Sequence, residues 1–191
     1  LQNGIQAAHA RIRKYSGRQE NLESMGSTLA ALLLTPKKGY LANVGDSRIY
    51  RIRANAIEQI SYDHSMVAEL VRNGLINGEE ALKHPQRSRL TMSISARREQ
   101  IAPFFLEFPI ESGDRFLLCS DGLWSVVPEA LILAAVLQYP PQTADHRLVE
   151  LANQAGGPDN ISVIIAAPRV KSGLEKEHPE SSMEETNPGR S

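Results

Sequence analysis

Gly39-Tyr40-Leu41-Ala42-Asn43-Val44-Gly45-Asp46-Ser47-Arg48-Ile49-Tyr50-Arg51-Ile52-Arg53 is the stretch on which the fold turns. Residues 39–44 and 48–53 are strand-like, and Gly45-Asp46-Ser47 supplies turn chemistry between them, so they read as a hairpin-like pair. Ala54-Asn55 forms the next turn, and Ala56 to Ile60 a further short strand. Upstream, Thr28 to Leu34 is a small-residue, apolar run stopped by Pro36. Its length fits a buried strand, although its Ala and Leu content also suits a helix. Before it, Ile5 to Tyr15 shows helical spacing with Ile5, Ala8 and Ile12 on one face, followed by a polar linker over Ser16 to Ser24.

Downstream the texture changes between Asp63 and Arg98. Met66 to Asn73 reads as a helix that Gly74 can end in the left-handed conformation. Asn77 with Glu80 forms a capping box for a second short helix, which His84-Pro85 terminates. Lys83, Arg87, Arg89, Arg97 and Arg98 make this segment basic. It reads as a helical insertion between sheet-forming segments. Strand texture returns at Phe104 to Phe108 and Arg115 to Ser120, helices follow over Pro128 to Gln138 and Thr143 to Gln154, and Ile161 to Ala166 reads as a central strand. Residues 169–191 are rich in Glu, Ser, Pro and Gly without periodicity and are expected to be disordered. The sum is one α+β domain over residues 1–168 with antiparallel sheets.

Composition narrows the function. The 191 residues are 41% hydrophobic, enough for a sizeable core, and the net charge of -1 gives no field for nucleic acid or an anionic membrane. The single cysteine, Cys119, excludes an internal disulfide and makes a cytoplasmic setting the default expectation. The chain starts at Leu1 inside a helical pattern, as a fragment, a processed product or a misassigned start would.

Two acidic residues stand where a strand meets a turn. Phe116-Leu117-Leu118-Cys119-Ser120-Asp121-Gly122 runs a hydrophobic strand into Asp121, and Gly156-Gly157-Pro158-Asp159-Asn160-Ile161-Ser162 presents Asp159 on a tight loop. Carboxylates on stiff supports suit hard cations such as Mg²⁺ and Mn²⁺. Ordinary Asp-Gly and Pro-Asp turns explain each one equally well when taken singly.

Six segments in order resemble the metal-dependent (PPM, type 2C) serine/threonine protein phosphatases, in a bacterial-like, N-terminally truncated form. Met25-Gly26-Ser27-Thr28-Leu29 is similar to M-G-T-T-L. Ala42 to Tyr50 is similar to A-N-V-G-D-S-R-x-Y. Asp63-His64-Ser65, with Val67 and Leu70 to Gly74, resembles the start of the family's flap, and His84-Pro85 with Arg87, Leu90 and Thr91 resembles H-P-x-R-x-x-L-T. Leu117 to Trp124 matches L-L-C-S-D-G-L-W, and Gly157 to Ser162 matches G-x-x-D-N-I-S.

The resemblance implies an antiparallel β-sandwich flanked by helices in α/β/β/α layers, with residues 63–98 as flap. It implies two Mg²⁺ or Mn²⁺ ions, or three, with Asp121 and Asp159 as ligands of the second and Asp46 helping to hold an additional, weaker ion or a nearby water. A metal-activated water would hydrolyse phosphoserine or phosphothreonine in a phosphoprotein, with no phosphoenzyme. Arg87 and Arg89 would contact that substrate. The expected protein is monomeric and binds neither nucleic acid nor membrane. The family's phosphate-gripping Arg, its Glu-Asp pair and its D-G-x-G-G-H loop have no counterpart in these 191 residues, so no catalytic residue is expected in the chain itself. Ser125 replaces a frequent Asp, and Ala96 stands where a Gly is usual.

These departures predict little activity and a poorly soluble or partly unfolded isolated chain. The alternative is a non-catalytic, phosphatase-like binding module. A metal-dependent nuclease is disfavoured by the lack of a basic groove signature. Cys119 reads as a buried strand residue and not a nucleophile, Trp124 as a core or rim aromatic, and His9, His146 and His178 as exposed. His64 and His84 read as structural hydrogen-bonding residues.

Overall fold

Strand alternation sorts the apolar residues into three separate cores. In the computed structural model, which describes residues 1–17, 22 and 25–168, the expected tail over 169–191, with His178, lies outside the described residues, as does most of the Ser16 to Ser24 linker. The elements are α1 (Gln2–Ser16), β1 (Gly26–Ser27), β2 (Leu29–Leu34), β3 (Lys38–Val44), β4 (Arg48–Arg53), β5 (Ala56–Gln59), α2 (Met66–Arg72), α3 (Gly78–Lys83), β6 (Ile94–Ser95), β7 (Phe104–Pro109), β8 (Arg115–Cys119), α4 (Asp121–Trp124), α5 (Glu129–Gln138), α6 (Pro141–Gln154) and β9 (Val163–Ala166).

All strand pairs are antiparallel. One sheet has the order β2-β3-β7, a second β5-β4-β8-β9, and β1 with β6 makes a short ribbon. The middle core lies between the two larger sheets and contains Leu41, Ile49, Phe108 and Phe116. The Phe108 and Phe116 rings meet with centroids 5.5 Å apart. On the far side of the four-stranded sheet, Tyr50, Ile52, Leu117 and Cys119 pack with Leu123, Ile132, Val136 and Leu148 of α4, α5 and α6. On the far side of the three-stranded sheet, Ala42 and Val44 pack with Ile5 of α1 and with Ile94 and Ile101. Ile49 and Tyr50, like Phe116 and Leu117, are chain neighbours that face opposite cores, as a period of two requires. The result is the expected helix, sheet, sheet, helix layering of an α+β sandwich. Each large side chain withdrawn from water contributes about 1.5–3 kcal/mol.

Four expectations need correction. Residues 39–44 and 48–53 do not form a hairpin: β3 pairs with β2 and β7, β4 with β5 and β8, and the two strands lie in different sheets. Gly45, at φ +100°, packs against Thr28 so closely that an added Cβ would collide with its side chain, and here the chain crosses from one sheet to the other. The hairpins here are β2–β3 and β4–β5, the latter with both turn residues, Ala54 and Asn55, at positive φ. The strand at Ile161 to Ala166 is not central. It starts at Val163, forms the outer strand of its sheet, and leaves Ile164 62% exposed. Residues 29–34 are a strand, half-buried at the edge of the other sheet.

The fourth correction concerns α1. His9 is buried, and its Nε2 lies 3.2 Å from the Ser95 carbonyl and 3.0 Å from that of Arg98. Ala8 is exposed. A polar residue facing inward is invisible to an apolar-spacing argument, because it satisfies backbone carbonyls and not a hydrophobic core. Asn77 and Glu80 do form the expected capping box, and Gly74 does adopt positive φ.

Gly39 tests the packing between the sheets. It stands opposite Phe108 in the register, and a Cβ there would enter the Phe108 ring. Gly39→Ala is therefore expected to destabilise the protein by about 1–3 kcal/mol through overpacking. Urea denaturation should show a lower midpoint at unchanged slope, and an unchanged midpoint would contradict this packing.

Candidate functional site

The register of the four-stranded sheet gathers the acidic residues at one end. Arg48 of β4 stands opposite Cys119 of β8, and Cys119 stands opposite Val163 of β9. Asp46 precedes this row, Asp121 follows it and Asp159 precedes it, so three carboxylates far apart in sequence leave the sheet on the same side.

Local hydrogen bonds fix two of them. The Ser120 amide donates to the Ser162 carbonyl at 3.1 Å, the Ser162 amide donates to Ser120 Oγ at 2.9 Å, and Ser120 Oγ donates to the Asn160 carbonyl at 3.1 Å. Gly122 lies against that same carbonyl, where any Cβ would collide with it. The loop of Asp159 is thus stitched to the first turn of α4, whose first residue is Asp121. Asp159 Oδ1 accepts the Asn160 amide at 2.7 Å. Asp46 sits in the crossover between β3 and β4, and its carbonyl accepts the Trp124 indole N–H at 3.0 Å.

The electrostatics match this grouping. Burial pushes the Asp46 carboxyl up to about 6, and the charge of Asp121 adds to the shift. Burial also raises Asp121, with the charge of Asp159 acting in the same direction. Among the described residues, none of the three forms an ion pair. Mutually repelling oxygens without a cationic side chain fit a hard divalent cation. They do not amount to a whole cage: among the described residues, no three Asp, Glu, His or Cys side chains converge closely enough to hold an ion by themselves.

Arg87 and Arg89 are exposed on the turn after α3. Among the described residues their side chains make no hydrogen bond or ion pair, and nothing joins them to the carboxylates. His84 Nδ1 accepts the Gln86 amide at 3.1 Å. His64 is buried, its Nδ1 lies 3.3 Å from the Gly45 amide nitrogen and 3.4 Å from the Gly45 carbonyl, and burial lowers its pKa, so the ring serves the Gly45 backbone. Cys119 is buried and its thiol is pushed up to about 12, which leaves it protonated and without nucleophilic character. His146 is exposed.

Sequence reasoning missed the scaffold behind Asp46. Arg48 pairs with Asp63 and stacks on Trp124, and no local spacing announces a contact between residues 48, 63 and 124. The available signal was Trp124 itself, because a half-buried indole N–H needs an acceptor.

The family description for protein phosphatase 2C matches residues 1–150. The serine/threonine protein phosphatase PstP of Mycobacterium tuberculosis is 39% identical over 167 residues, covering 87% of this chain and 32% of that protein. The serine/threonine phosphatase stp of Listeria monocytogenes is 35% identical over 167 residues, covering 86% of this chain and 66% of that protein. The chain thus spans 32% and 66% of these relatives' own lengths. Among solved structures, Stp1 from Staphylococcus aureus aligns with a TM-score of 0.83 at 33% identity, over 87% of this chain and 66% of that one. The catalytic domain of PstP in complex with two manganese ions aligns at 0.73 and 37%, over 82% of this chain and 65% of that one. With this sequence match over residues 1–150 and the same sandwich in solved relatives, the chain belongs to the protein phosphatase 2C family.

Proposed function

We propose that this chain carries part of the divalent-metal site of a serine/threonine protein phosphatase, acting on phosphoserine or phosphothreonine in proteins. The observation that supports it is the grouping of Asp46, Asp121 and Asp159 at one sheet end, with the charges of Asp121 and Asp159 raising the pKa of Asp46 and Asp121 respectively. Asp121 and Asp159 would hold Mg²⁺ or Mn²⁺, and Asp46 would stand beside a further, weaker ion or its water. When bound, such ions lower the pKa of a coordinated water and offset charge on phosphoryl oxygens. The chain's own part is positional: the Ser120, Asn160 and Ser162 hydrogen bonds hold two carboxylates in place before any ion arrives. Arg87 and Arg89, exposed and without a side-chain partner among the described residues, would offer charge to a phosphoprotein. Residues 63–98 would act as the flap beside the site.

Two carboxylates supply about two formal negative charges against four from two divalent ions. The 191 residues alone are therefore expected to hydrolyse p-nitrophenyl phosphate with Mn²⁺ at or near background. Robust turnover that Asp121→Asn abolishes would overturn the partial-site reading. The incomplete cage also favours a second reading, a phosphatase-like binding module. Calorimetry with Mn²⁺ separates the two: weak binding lost in both Asp121→Asn and Asp159→Asn supports the metal site, and no binding supports the module.

The loop stitching gives a sharper test. Gly122→Ala must push the Asn160 carbonyl away and separate Asp121 from Asp159. Mn²⁺ affinity should fall by about 10-fold or more, in the range of changes to the support of metal ligands. Unchanged affinity in a folded Gly122→Ala protein would show that the two loops do not share an ion.

The sign of the Asp46 effect is fixed. The folded carboxyl keeps its proton up to about pH 6, whereas in the unfolded chain it loses it near its ordinary value. The folded state binds more protons across that interval, so this group makes metal-free stability fall as pH rises from about 4 to 6, and the loss is complete above it. Asp46→Asn is expected to raise the metal-free melting temperature at pH 7.5 by about 2–4 °C. It should also flatten the decline between pH 4 and 6. A lower melting temperature would contradict the burial assigned to Asp46.

A further inference from the structure

Arg48 leaves β4 on the side of the sheet that faces the helices and meets three groups at once. Its Nε and Nη2 both reach Asp63 Oδ2, at 2.9 and 2.8 Å. Its Nη1 donates to Tyr50 Oη at 3.0 Å. Its guanidinium carbon lies 3.6 Å from the Trp124 ring centroid. Asp63 is equally fixed: its side chain is 5% exposed, and Gln59 Nε2 donates to its other oxygen at 2.8 Å. A stacked, forked guanidinium is a geometry that lysine cannot reproduce.

This pair stands between two groups that hold the peptide of Asp46. From one side Trp124, in the helix that begins with Asp121, donates its indole N–H to the Asp46 carbonyl at 3.0 Å. From the other side the residue after Asp63 grips Gly45: the His64 amide donates to the Gly45 carbonyl at 2.9 Å, and His64 Nδ1 lies 3.3 Å from the Gly45 amide nitrogen. The same root gathers both stems of the segment that carries Arg87 and Arg89. The Thr91 amide donates to the His64 carbonyl and the Met66 amide to the Arg89 carbonyl, each at 2.9 Å, around the Ser65–Leu90 bridge. Arg72 adds a hydrogen bond from Nη1 to the Asp63 carbonyl at 3.2 Å.

We propose that Arg48, Asp63 and Trp124 form a positioning unit that fixes Asp46 relative to Asp121 and couples its placement to the root of the 63–98 segment. Its consequence for metal affinity rests on the function proposed above, whereas its mechanical part does not. Movement at the segment's stems passes through Asp63 to the guanidinium, and from its stacked face to the indole that holds Asp46. None of the three residues touches the reacting phosphate in this reading.

The test uses the full 191-residue chain with two readouts, Mn²⁺ affinity by calorimetry and amide hydrogen exchange of the metal-free protein. Arg48→Lys keeps the charge but loses the fork and the stack. It should weaken Mn²⁺ binding about 10-fold and speed exchange at both 45–47 and 64–66, while β3 and β8 stay protected. Trp124→Phe keeps an aromatic face for Arg48 but loses the indole donor. It should weaken Mn²⁺ to a similar degree and speed exchange at 45–47 alone. A role confined to stability would instead raise exchange throughout the sheet and leave Mn²⁺ affinity unchanged.

Wild-type exchange at 45–47 in both variants overturns the proposal. If Mn²⁺ binds and is lost in Asp121→Asn but is unmoved by Arg48→Lys and Trp124→Phe, the positioning unit fails and the metal site stands. If no variant or wild-type protein binds Mn²⁺ but the exchange pattern holds, the metal site fails and the positioning unit stands. Should either variant fail to fold, Gln59→Met, which frees Asp63 Oδ1 and also removes the hydrogen bond to the Ser61 carbonyl, must still speed exchange at 64–66, and wild-type rates there overturn the coupling.

Discussion

The site depends on a short piece of backbone stitching where β8 ends and β9 begins. Ser120, Asn160 and Ser162 exchange three hydrogen bonds, and Gly122 lies against the Asn160 carbonyl with no room for a side chain. Those contacts keep Asp121 and Asp159 together although their charges repel. Like charges a few ångströms apart near a protein surface repel by on the order of a few kcal/mol. β8, which leads into Asp121, buries Phe116, Leu117 and Cys119 almost completely, and a large apolar side chain contributes about 1.5–3 kcal/mol. The sandwich core therefore outweighs the repulsion, and carboxylates can sit where no salt bridge among the described residues neutralises them.

Much of this was legible because it is local. Asp121 and Asp159 stand at strand ends next to glycine or proline, and that chemistry is readable from a few residues. The capping box at Asn77 and the left-handed Gly74 are local in the same sense. Family motifs extended the reading to the layering, because their order encodes a topology that spacing alone does not. The errors lie where pairing is non-local. Residues 39–53 look like a hairpin because two strands and a three-residue turn satisfy the local rule, but β3 finds its partners in β2 and β7, and β4 in β5 and β8. Val163 to Ala166 looks central because it is apolar, yet it is the outer strand of its sheet. His9 and Arg48 were unreadable for a related reason. Each is a polar residue whose partner, the 95–98 backbone or Asp63, is brought near only by the finished fold.

The same architecture explains why the carboxylates are poor contributors to stability. Asp46 is withdrawn from water and faces Asp121, so its ionised form is disfavoured in the metal-free protein. A structure selected for stability alone would place an amide or an apolar residue there. Retaining a carboxylate in such a place is the pattern of a functional site, where a destabilised charge waits for a ligand. Asp114 makes the contrast. It is at least as buried, but Arg53 grips both its oxygens at 2.7 Å and its pKa falls. Burial raises the pKa of both carboxyls, and Arg53 reverses that for Asp114, whereas Asp46 forms no salt bridge among the described residues and has Asp121 beside it.

That distinction bears on the 63–98 segment. Its second helix, α3, has no buried residue, and the buried ones in the segment cluster at its two ends: Asp63, His64, Ser65 and Val67 at one, Ile94 at the other. A segment with so little apolar burial is held by its roots and not by its body, and low local contact places it among the parts of a fold that open most easily. Its roots lie on Gly45 and Arg48, on either side of Asp46. Any event that pulls on the segment acts first on the groups that orient this carboxylate. In the proposed reading the dependence also runs the other way, because an ion held beside Asp46 would stiffen the root from which Arg87 and Arg89 project. Thermodynamic coupling of this kind is reciprocal, and here it is carried by one guanidinium between an aspartate and an indole.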